Sequence, residues 1–91
     1  MFDGQTIGFI GGGNMGEALI RGLLSASILQ PRQICAYDIL PARLEHLADS
    51  YAIASAATIG EAARRSQILV LAVKPQVMSQ VFEQLQTEME H

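Results

Sequence analysis

The chain has 91 residues, enough for one small domain, and its core must be aliphatic because 49% of the residues are hydrophobic whereas only 5% are aromatic. Six basic and nine acidic residues leave a net charge of −3, which argues against nucleic acid or an anionic membrane surface as the main partner. The start shows no signal-peptide pattern, and the longest apolar run, residues 68–73, is far short of the roughly 20 residues that cross a bilayer. Cys35 is the single cysteine, so we expect a buried, inert thiol in a reduced, cytoplasmic protein.

The first half of the chain alternates predicted strands and helices. Residues 6–10 predict a buried strand that ends at a run of glycines, and residues 14–28 show a helical pattern. Residues 33–37 predict a second strand, and Pro41 is typical of the first turn of a second, short helix. One face of the first helix is expected to point inward, and its residues are Met15, Ala18, Leu19, Gly22 and Leu23. On the opposite face, Glu17 and Arg21 are expected to form an i,i+4 pair.

The second half continues the alternation. Residues 51–55 predict a weak third strand, and residues 58–61 fit a capping box that opens a helix ending at Arg65. Residues 68–73 are apolar without alternation, which is typical of a parallel strand covered on both faces. Pro75 opens a last helix, whose inward stripe is expected to be Met78, Val81, Phe82, Leu85 and Met89. The order βαβαβαβα predicts an α/β fold, a Rossmann-like doubly wound parallel sheet with strand order 3-2-1-4.

The glycine run predicts a phosphate-binding turn. Residues 11–16, Gly-Gly-Gly-Asn-Met-Gly, match G-x-G-x-x-G between a strand and a helix, which is the context that the dinucleotide-binding motif requires. In such a turn Gly11 permits the sharp exit from the strand, Gly13 admits a pyrophosphate close to the backbone, and Gly16 lets the helix pack on the strand. The alternative is a tight strand-to-helix turn without a ligand.

The helix after the glycines supplies the second part of the predicted phosphate site. The backbone amides of Asn14 and Met15 are expected to point at the phosphates from the helix amino terminus, where the helix dipole favours negative charge. Gly8 and Gly22 lie outside the motif, and we interpret both as positions of close packing that contact no ligand.

Asp38 is the candidate residue for the adenosine ribose. It follows the second predicted strand, about 20 residues beyond the last glycine of the motif, where an acid that binds the ribose is expected. A carboxylate there accepts hydrogen bonds from both ribose hydroxyls and repels a 2′-phosphate, so it favours NADH over NADPH. The alternative is a solvated residue at a helix start. We interpret Arg43 as a surface residue, with contact to a 2′-phosphate as its alternative.

The segment after the fourth strand is expected to lie beside the ribose and nicotinamide half of a cofactor. In a sheet ordered 3-2-1-4 the ligand binds where strands 1 and 4 diverge. The segment comprises Ala72, Val73, Lys74 and Pro75. By spacing alone Lys74 fits a lysine at a helix start; the alternative is that it positions the ribose or a charge near the reacting end.

Two segments of the chain resemble the pyrroline-5-carboxylate reductases: "IGFIGGGNMGEALIRGLL" is similar to their first strand, glycine turn and first helix, and "LVLAVKPQ" to their fourth strand and following loop. The resemblance covers essentially the whole chain. It implies reduction of Δ1-pyrroline-5-carboxylate to L-proline, the last step of proline biosynthesis, with hydride passing from the nicotinamide to the imine carbon. It implies that the pyrophosphate loop is Gly11, Gly13, Asn14, Met15 and Gly16, and that the nicotinamide-side loop is Ala72, Val73, Lys74 and Pro75.

The resemblance also implies a cofactor preference and a longer protein. NADPH is the usual cofactor of the family, and members that prefer it usually carry small polar residues where this chain has Asp38. The resemblance therefore favours NADP as the cofactor, whereas Asp38 favours NAD. Family members continue into a helical C-terminal domain that makes the homo-oligomer and the pocket for the small-molecule substrate. Residues 1–91 are therefore expected to be an incomplete N-terminal NAD(P)-binding domain, inactive alone. No catalytic residue is predicted in it, and no metal site, since His46 and His91 have no ligand-spaced companions.

Two other functions stay open at this point. One is the cofactor domain of another NAD(P)-dependent oxidoreductase, such as a β-hydroxyacid dehydrogenase or a deazaflavin-dependent NADP reductase. The pair Lys74-Pro75 weighs against it. The other is a stand-alone nucleotide-binding module without catalysis.

Overall fold

The computed structural model describes residues 2–89, in which four strands alternate with four α-helices. The strands are β1 (Ile7–Ile10), β2 (Ile34–Tyr37), β3 (Ala54–Ser55) and β4 (Ile68–Leu71). The helices are α1 (Asn14–Ser25), α2 (Pro41–Tyr51), α3 (Ile59–Arg65) and α4 (Pro75–Met89), and a 3₁₀ turn over Pro31–Gln33 precedes β2. The predicted order of elements is confirmed.

The four strands form one parallel sheet in the order β3-β2-β1-β4, which confirms the predicted topology. Ile7 of β1 lies opposite Ile34 of β2 on one side and Ile68 of β4 on the other. Because all strands run in the same direction, their carboxyl ends meet along one edge of the sheet. In a doubly wound fold this edge is where ligands bind.

Helices cover both faces of the sheet, and the strand side chains alternate between two cores. Phe9 packs with Ile20 of α1 and Leu47 of α2 on one face. Ile10, next along the same strand, packs on the other face with Ile59 of α3 and Val81 of α4. Cys35 belongs to this second core and is 1% exposed, which confirms the predicted buried thiol.

Helix α1 packs along a different line from the predicted one. Met15 and Leu19 are 54% and 45% exposed, whereas Gly16 and Ile20 are buried. The contact line is shifted because Gly16, without a side chain, sits against the turn that leaves β1 and brings its own face of the helix onto the sheet. Gly22 is exposed with open space around it, so its interpretation as a packing glycine is wrong; Gly8, against Ser66 and Ala62, does pack closely.

Three further features differ from the prediction. Within residues 2–89, β4 pairs only with β1, and it is not covered on both faces, since Ile68 is exposed and its other residues are only partly buried. On α4 Val81 is buried, but Phe82 is 55% exposed and Met89 is exposed as well. The third strand is shorter than predicted because α2 continues to Tyr51.

The predicted capping box at α3 is half formed. Thr58 Oγ1 accepts a hydrogen bond from the Glu61 N–H at 3.0 Å, as predicted. The Glu61 carboxylate, however, accepts from the Ala57 N–H at 2.8 Å, one residue before the N-cap. Both bonds satisfy amides that precede or begin the helix. None of the described helices is long and apolar enough to cross a membrane.

Candidate functional site

The turn that leaves β1 is built on a glycine that no other residue replaces easily. Gly11 has φ +105°, a backbone conformation that residues with a side chain rarely adopt. Its N–H donates to the Tyr37 carbonyl at 2.8 Å, and a Cβ on Gly11 would collide with the Ala72 carbonyl oxygen. The turn is therefore pressed against the carboxyl ends of β2 and β4.

Helix α1 begins three residues later and lies directly on this turn. A Cβ on Gly16 would collide with the Gly11 carbonyl oxygen, so only glycine allows the first turn of α1 to come this close. Gly16 is buried as a consequence. The predicted turn and helix therefore occur together, and the amino end of α1 is brought to the ligand-binding edge of the sheet.

The middle of the glycine turn is open. Gly13 is the N-cap of α1 and is exposed, and no atom lies within 4 Å of the place a Cβ would occupy. No side chain caps the helix, and the amides of Asn14 and Met15, both exposed, have no acceptor within the helix because they belong to its first turn. Unpaired amides at the positive end of a helix dipole can bind an anion.

Asp38 lies at the end of β2 and binds the glycine turn directly. Its Oδ2 accepts a hydrogen bond from the Gly12 N–H at 2.6 Å, and its Oδ1 accepts from the Leu40 N–H at 2.8 Å. The side chain is half-buried. Asp38 is therefore more than a solvated residue at a helix start, because it ties β2 to the turn.

Arg43 is not the surface residue that its sequence position suggested. Its Nε donates to the Gly12 carbonyl at 2.7 Å, and its Nη2 donates to Glu17 Oε1 at 2.7 Å, with the side chain 28% exposed. Both acceptors are distant in the sequence and come together only in the fold. The guanidinium thus joins α2 to the glycine turn and to α1.

Glu17 is the centre of a polar cluster between α1 and α2, and it does not form the predicted pair with Arg21. Its Oε2 accepts from Tyr51 Oη at 2.6 Å and contacts His46 Nε2 at 2.9 Å, while Oε1 accepts from Arg43. The hydrogen bonds from Tyr51, His46 and Arg43, in that order, lower the pKa of Glu17 from its usual 4.5 to about 2. The same carboxylate raises the pKa of Tyr51.

The loop after β4 begins against the glycine turn and ends in solvent. The Ala72 N–H donates to the Ile10 carbonyl at 2.8 Å, so this buried residue continues the pairing of β4 with β1. Val73 is partly buried, and Lys74 and Pro75 are exposed. The Lys74 carbonyl accepts from the Val77 N–H at 3.0 Å, which places Lys74 at the start of α4, as its spacing indicated.

A cavity of ≈ 200 Å³ lies beside the glycine turn, between the strand ends and helices α3 and α4. It brings together three of the predicted site residues, Gly11, Asp38 and Val73, whereas the other predicted residues do not line it. Sequence reasoning missed the rest of the lining, which is mostly apolar: Ile10, Tyr37, Ile39, Ile59, Val77, Gln80, Val81 and Gln84. The α4 members fall at positions i, i+3, i+4 and i+7, and this common helix face was the available signal.

Metal-ligand clusters are not found among residues 2–89. His46 contacts Glu17 and Ser50 instead. His91, the other histidine considered as a ligand, lies outside the described residues.

Residues 6–91 match the family model described as "NADP oxidoreductase coenzyme F420-dependent". The chain belongs to this family. Among the curated relatives, the chain is similar to the pyrroline-5-carboxylate reductase of Methanosarcina acetivorans, with 41% identity over 86 residues, 94% of this chain and 32% of that protein. It is 37% identical over 81 residues to the enzyme of the same name from Escherichia coli, covering 89% of this chain and 30% of that one. The chain thus spans about a third of the length of these family relatives.

Solved structures share the fold of this family domain. A pyrroline-5-carboxylate reductase from Coxiella burnetii superposes with a TM-score of 0.83 at 29% identity, over 91% of this chain and 30% of that one. An imine reductase from Myxococcus stipitatus in complex with NADP+ gives a TM-score of 0.72 at 27% identity, over 91% of this chain and 28% of that one. The Plasmodium falciparum pyrroline carboxylate reductase with NADP bound gives a TM-score of 0.79 at 24% identity, over 99% of this chain and 32% of that one. At this identity the likeness shows the fold alone.

Proposed function

We propose that this chain binds a nicotinamide dinucleotide across its glycine turn and acts as the cofactor-binding part of a pyrroline-5-carboxylate reductase. One observation carries the first statement: Gly13 is exposed, with empty space where a side chain would be, directly at the uncapped amino end of α1. Among residues 2–89 no atom would contact a side chain at that position, so packing does not require glycine there. A ligand phosphate that approaches the backbone does require it.

The pyrophosphate is proposed to lie on Gly13, Asn14 and Met15. The amides of Asn14 and Met15 then donate to phosphate oxygens, and the helix dipole stabilises their charge. Gly11 and Gly16 hold the turn in the required shape through their contacts with Ala72 and with each other. A nicotinamide dinucleotide supplies a hydride when it is bound in its reduced form, and the loop of residues 72–75 is proposed to lie on its nicotinamide side.

The adenosine end is proposed to occupy the cavity beside Asp38. The apolar side chains Ile39, Val73 and Val77 line this cavity and suit the faces of an adenine ring. Each oxygen of a carboxylate has two acceptor sites, and each oxygen of Asp38 uses one of them for a backbone amide. One site on each oxygen is left for the two ribose hydroxyls.

We propose NADH as the preferred cofactor. A 2′-phosphate beside Asp38 would meet a negative charge. The guanidinium of Arg43, which could have balanced that charge, is already paired with Glu17 at 2.7 Å. The family description names NADP, so the local chemistry at Asp38 opposes the family description, and a measured ratio of affinities decides between them.

The substrate of the whole protein is proposed to be Δ1-pyrroline-5-carboxylate, reduced at its imine carbon to L-proline. The support is the name shared by the relatives at 41% and 37% identity. We propose that residues outside these 91 complete the substrate site in a homo-oligomer located in the cytoplasm, without nucleic acid or membrane as partners. The family description favours a second candidate, hydride exchange between NADP and a deazaflavin.

The phosphate assignment is tested by replacing Gly13 with valine. Gly13 is in an extended conformation, and no atom lies within 4 Å of the place of its Cβ, so we expect an unchanged fold. The side chain would displace the pyrophosphate from two charge-assisted hydrogen bonds, and we expect a loss of affinity for NADH of about 100-fold in calorimetric titration. Gly22→Ala is the matched control, because that glycine is also exposed on α1 and should bind NADH as the wild type does. Full affinity in Gly13→Val would contradict the assignment.

The substrate assignment is tested with a chimera in which this chain replaces the aligned first third of the Methanosarcina acetivorans enzyme. We expect proline formation from Δ1-pyrroline-5-carboxylate, with the cofactor preference set by this chain. The isolated chain should form no proline. A chimera that binds NADH but turns over only a deazaflavin substrate would support the second candidate.

A further inference from the structure

We infer that Arg43 is a positioning residue for the phosphate turn: held by Glu17, it fixes the Gly12–Gly13 peptide so that the Gly13 N–H is presented to the pyrophosphate. The inference rests on the proposed dinucleotide function. It differs from the usual expectation for an arginine near the end of β2, which is contact with a 2′-phosphate. Three contacts of Gly12 and the pairing of Arg43 with Glu17 carry it.

Gly12 is fixed on three sides. Asp38 Oδ2 accepts its N–H at 2.6 Å, and Arg43 Nε donates to its carbonyl at 2.7 Å. A Cβ on Gly12 would lie only 2.9 Å from Leu47 Cδ1, so α2 closes off the remaining side. This buried residue is therefore a rigid support beneath the exposed Gly13.

The peptide that joins Gly12 to Gly13 is the one that most needs such support. It is flanked by two glycines, which rotate more freely than any other residues. No cis peptide is present among the described residues, and in a trans peptide the C=O and N–H groups point in opposite directions. Because the Gly12 carbonyl points at Arg43, the Gly13 N–H points away from Arg43.

The orientation of Arg43 is set in turn by Glu17. The guanidinium uses Nε for the Gly12 carbonyl and Nη2 for the carboxylate, so two of its donors hold two acceptors in one planar group. Tyr51 and His46 hold the other oxygen of Glu17. A lysine carries the same charge but only one nitrogen, which does not reproduce this geometry.

The pairing also matters for charge. Glu17 lies in the first turn of α1, one turn from the proposed phosphate site, and an uncompensated carboxylate there would repel an anion. Arg43 therefore has two separable effects on phosphate binding, an oriented peptide and a neutralised carboxylate. The positioning role is the first of these, and the experiment has to separate it from the second.

The test measures binding of NADH and of NADPH by calorimetry to Arg43→Leu, Arg43→Lys and the double variant Glu17→Gln/Arg43→Leu, each first checked for folding by circular dichroism. For Arg43→Leu we expect both affinities to fall by about 10-fold with their ratio unchanged within about twofold. Arg43→Lys should lose affinity as well. The double variant should stay weak, because removing the Glu17 charge does not restore the bond to Gly12. Arg32→Leu, with the same loss of charge next to the opposite end of β2, is the matched control and should bind as the wild type does.

A second readout needs no cofactor. In the ligand-free chain, the ¹⁵N heteronuclear NOE of the Gly13 amide should fall in Arg43→Leu and in Arg43→Lys, but not in Arg32→Leu. An unchanged Gly13 amide, a selective loss of NADPH affinity, or full recovery in the double variant would each overturn the positioning role. Absence of any dinucleotide binding by the wild type would instead remove the proposed function, and the Gly13 amide would then decide the positioning role alone.

Discussion

The two halves of the glycine turn use the same residue type for opposite purposes. In the first half, Gly11 and Gly12 are buried, and their N–H groups donate to Tyr37 and Asp38. In the second half, Gly13 is exposed and nothing occupies the place of its missing side chain. The fold explains the first half completely, since a side chain at Gly11 would strike Ala72. Packing does not explain the second half, and we assign a ligand to it because Gly13 lies at the uncapped amino end of α1.

The largest difference between the two halves is expected in the stabilities of the single variants Gly11→Ala and Gly13→Ala. Gly11→Ala combines a positive φ with a collision against backbone, and we expect it to lower the free energy of unfolding by about 2–4 kcal/mol. Gly13→Ala replaces a glycine that is favoured at an N-cap, and we expect it to lower that free energy by at most about 1 kcal/mol. Urea unfolding followed by circular dichroism measures both. Equal destabilisation by the two variants would show that the halves do not differ.

A smaller effect is expected at Asp38, which binds Gly12 between the two halves of the turn and is proposed to bind the ribose. Asp38→Ser removes the charge that opposes a 2′-phosphate, so the affinity ratio of NADPH to NADH should rise about tenfold. Both affinities should also decrease, because Asp38 anchors the Gly12 N–H. Asp49→Ser, on the exposed side of α2, is the control for loss of one carboxylate. A ratio that stays constant would mean that Asp38 supports the turn without contacting the ribose.

The smallest effect concerns stability in acid, through Glu17, which pairs with the Arg43 that holds the buried Gly12. The pKa of Glu17 is lowered from 4.5 to about 2 in the folded chain, so its ionised form stabilises the fold above about pH 4.5. That contribution disappears as the pH falls from 4.5 towards 2, because the unfolded chain takes up the proton first. The difference in Tm between the wild type and Glu17→Gln should therefore be constant at neutral pH and shrink below pH 4.5. Glu45→Gln, at an exposed position of α2, is the control for the loss of one carboxylate.

The order and direction of the strands followed from the sequence because they depend on local patterns. Residues 68–73 are apolar without interruption, and glycines or prolines stand at the junctions β1–α1, α1–β2, β2–α2 and β4–α4, so most strands and helices could be recognised from their own residues. The parallel arrangement then followed from the alternation of strands and helices. The turn at Gly11 was predictable for the same reason, because its requirement for glycine lies in the motif itself.

The faces of two helices and the role of Arg43 were not predictable, since they depend on distant partners. A hydrophobic pattern gives no weight to Gly16, yet Gly16 determines which face of α1 meets the sheet. Phe82 has an apolar side chain in a helical stripe, yet it is 55% exposed, whereas Val81 beside it in the sequence is buried. Arg43 reaches Gly12 and Glu17 across the fold, and nothing in the residues around it indicates either acceptor.

The central claim is that the open half of the turn holds a diphosphate, and titration of the ¹⁵N-labelled chain with NADH tests it most directly. We predict that the amide signals of Gly13, Asn14 and Met15 shift most. Gly22, exposed on the same helix without a role in the site, should keep its position. Saturable binding that shifts other amides and leaves these three unmoved would contradict the account.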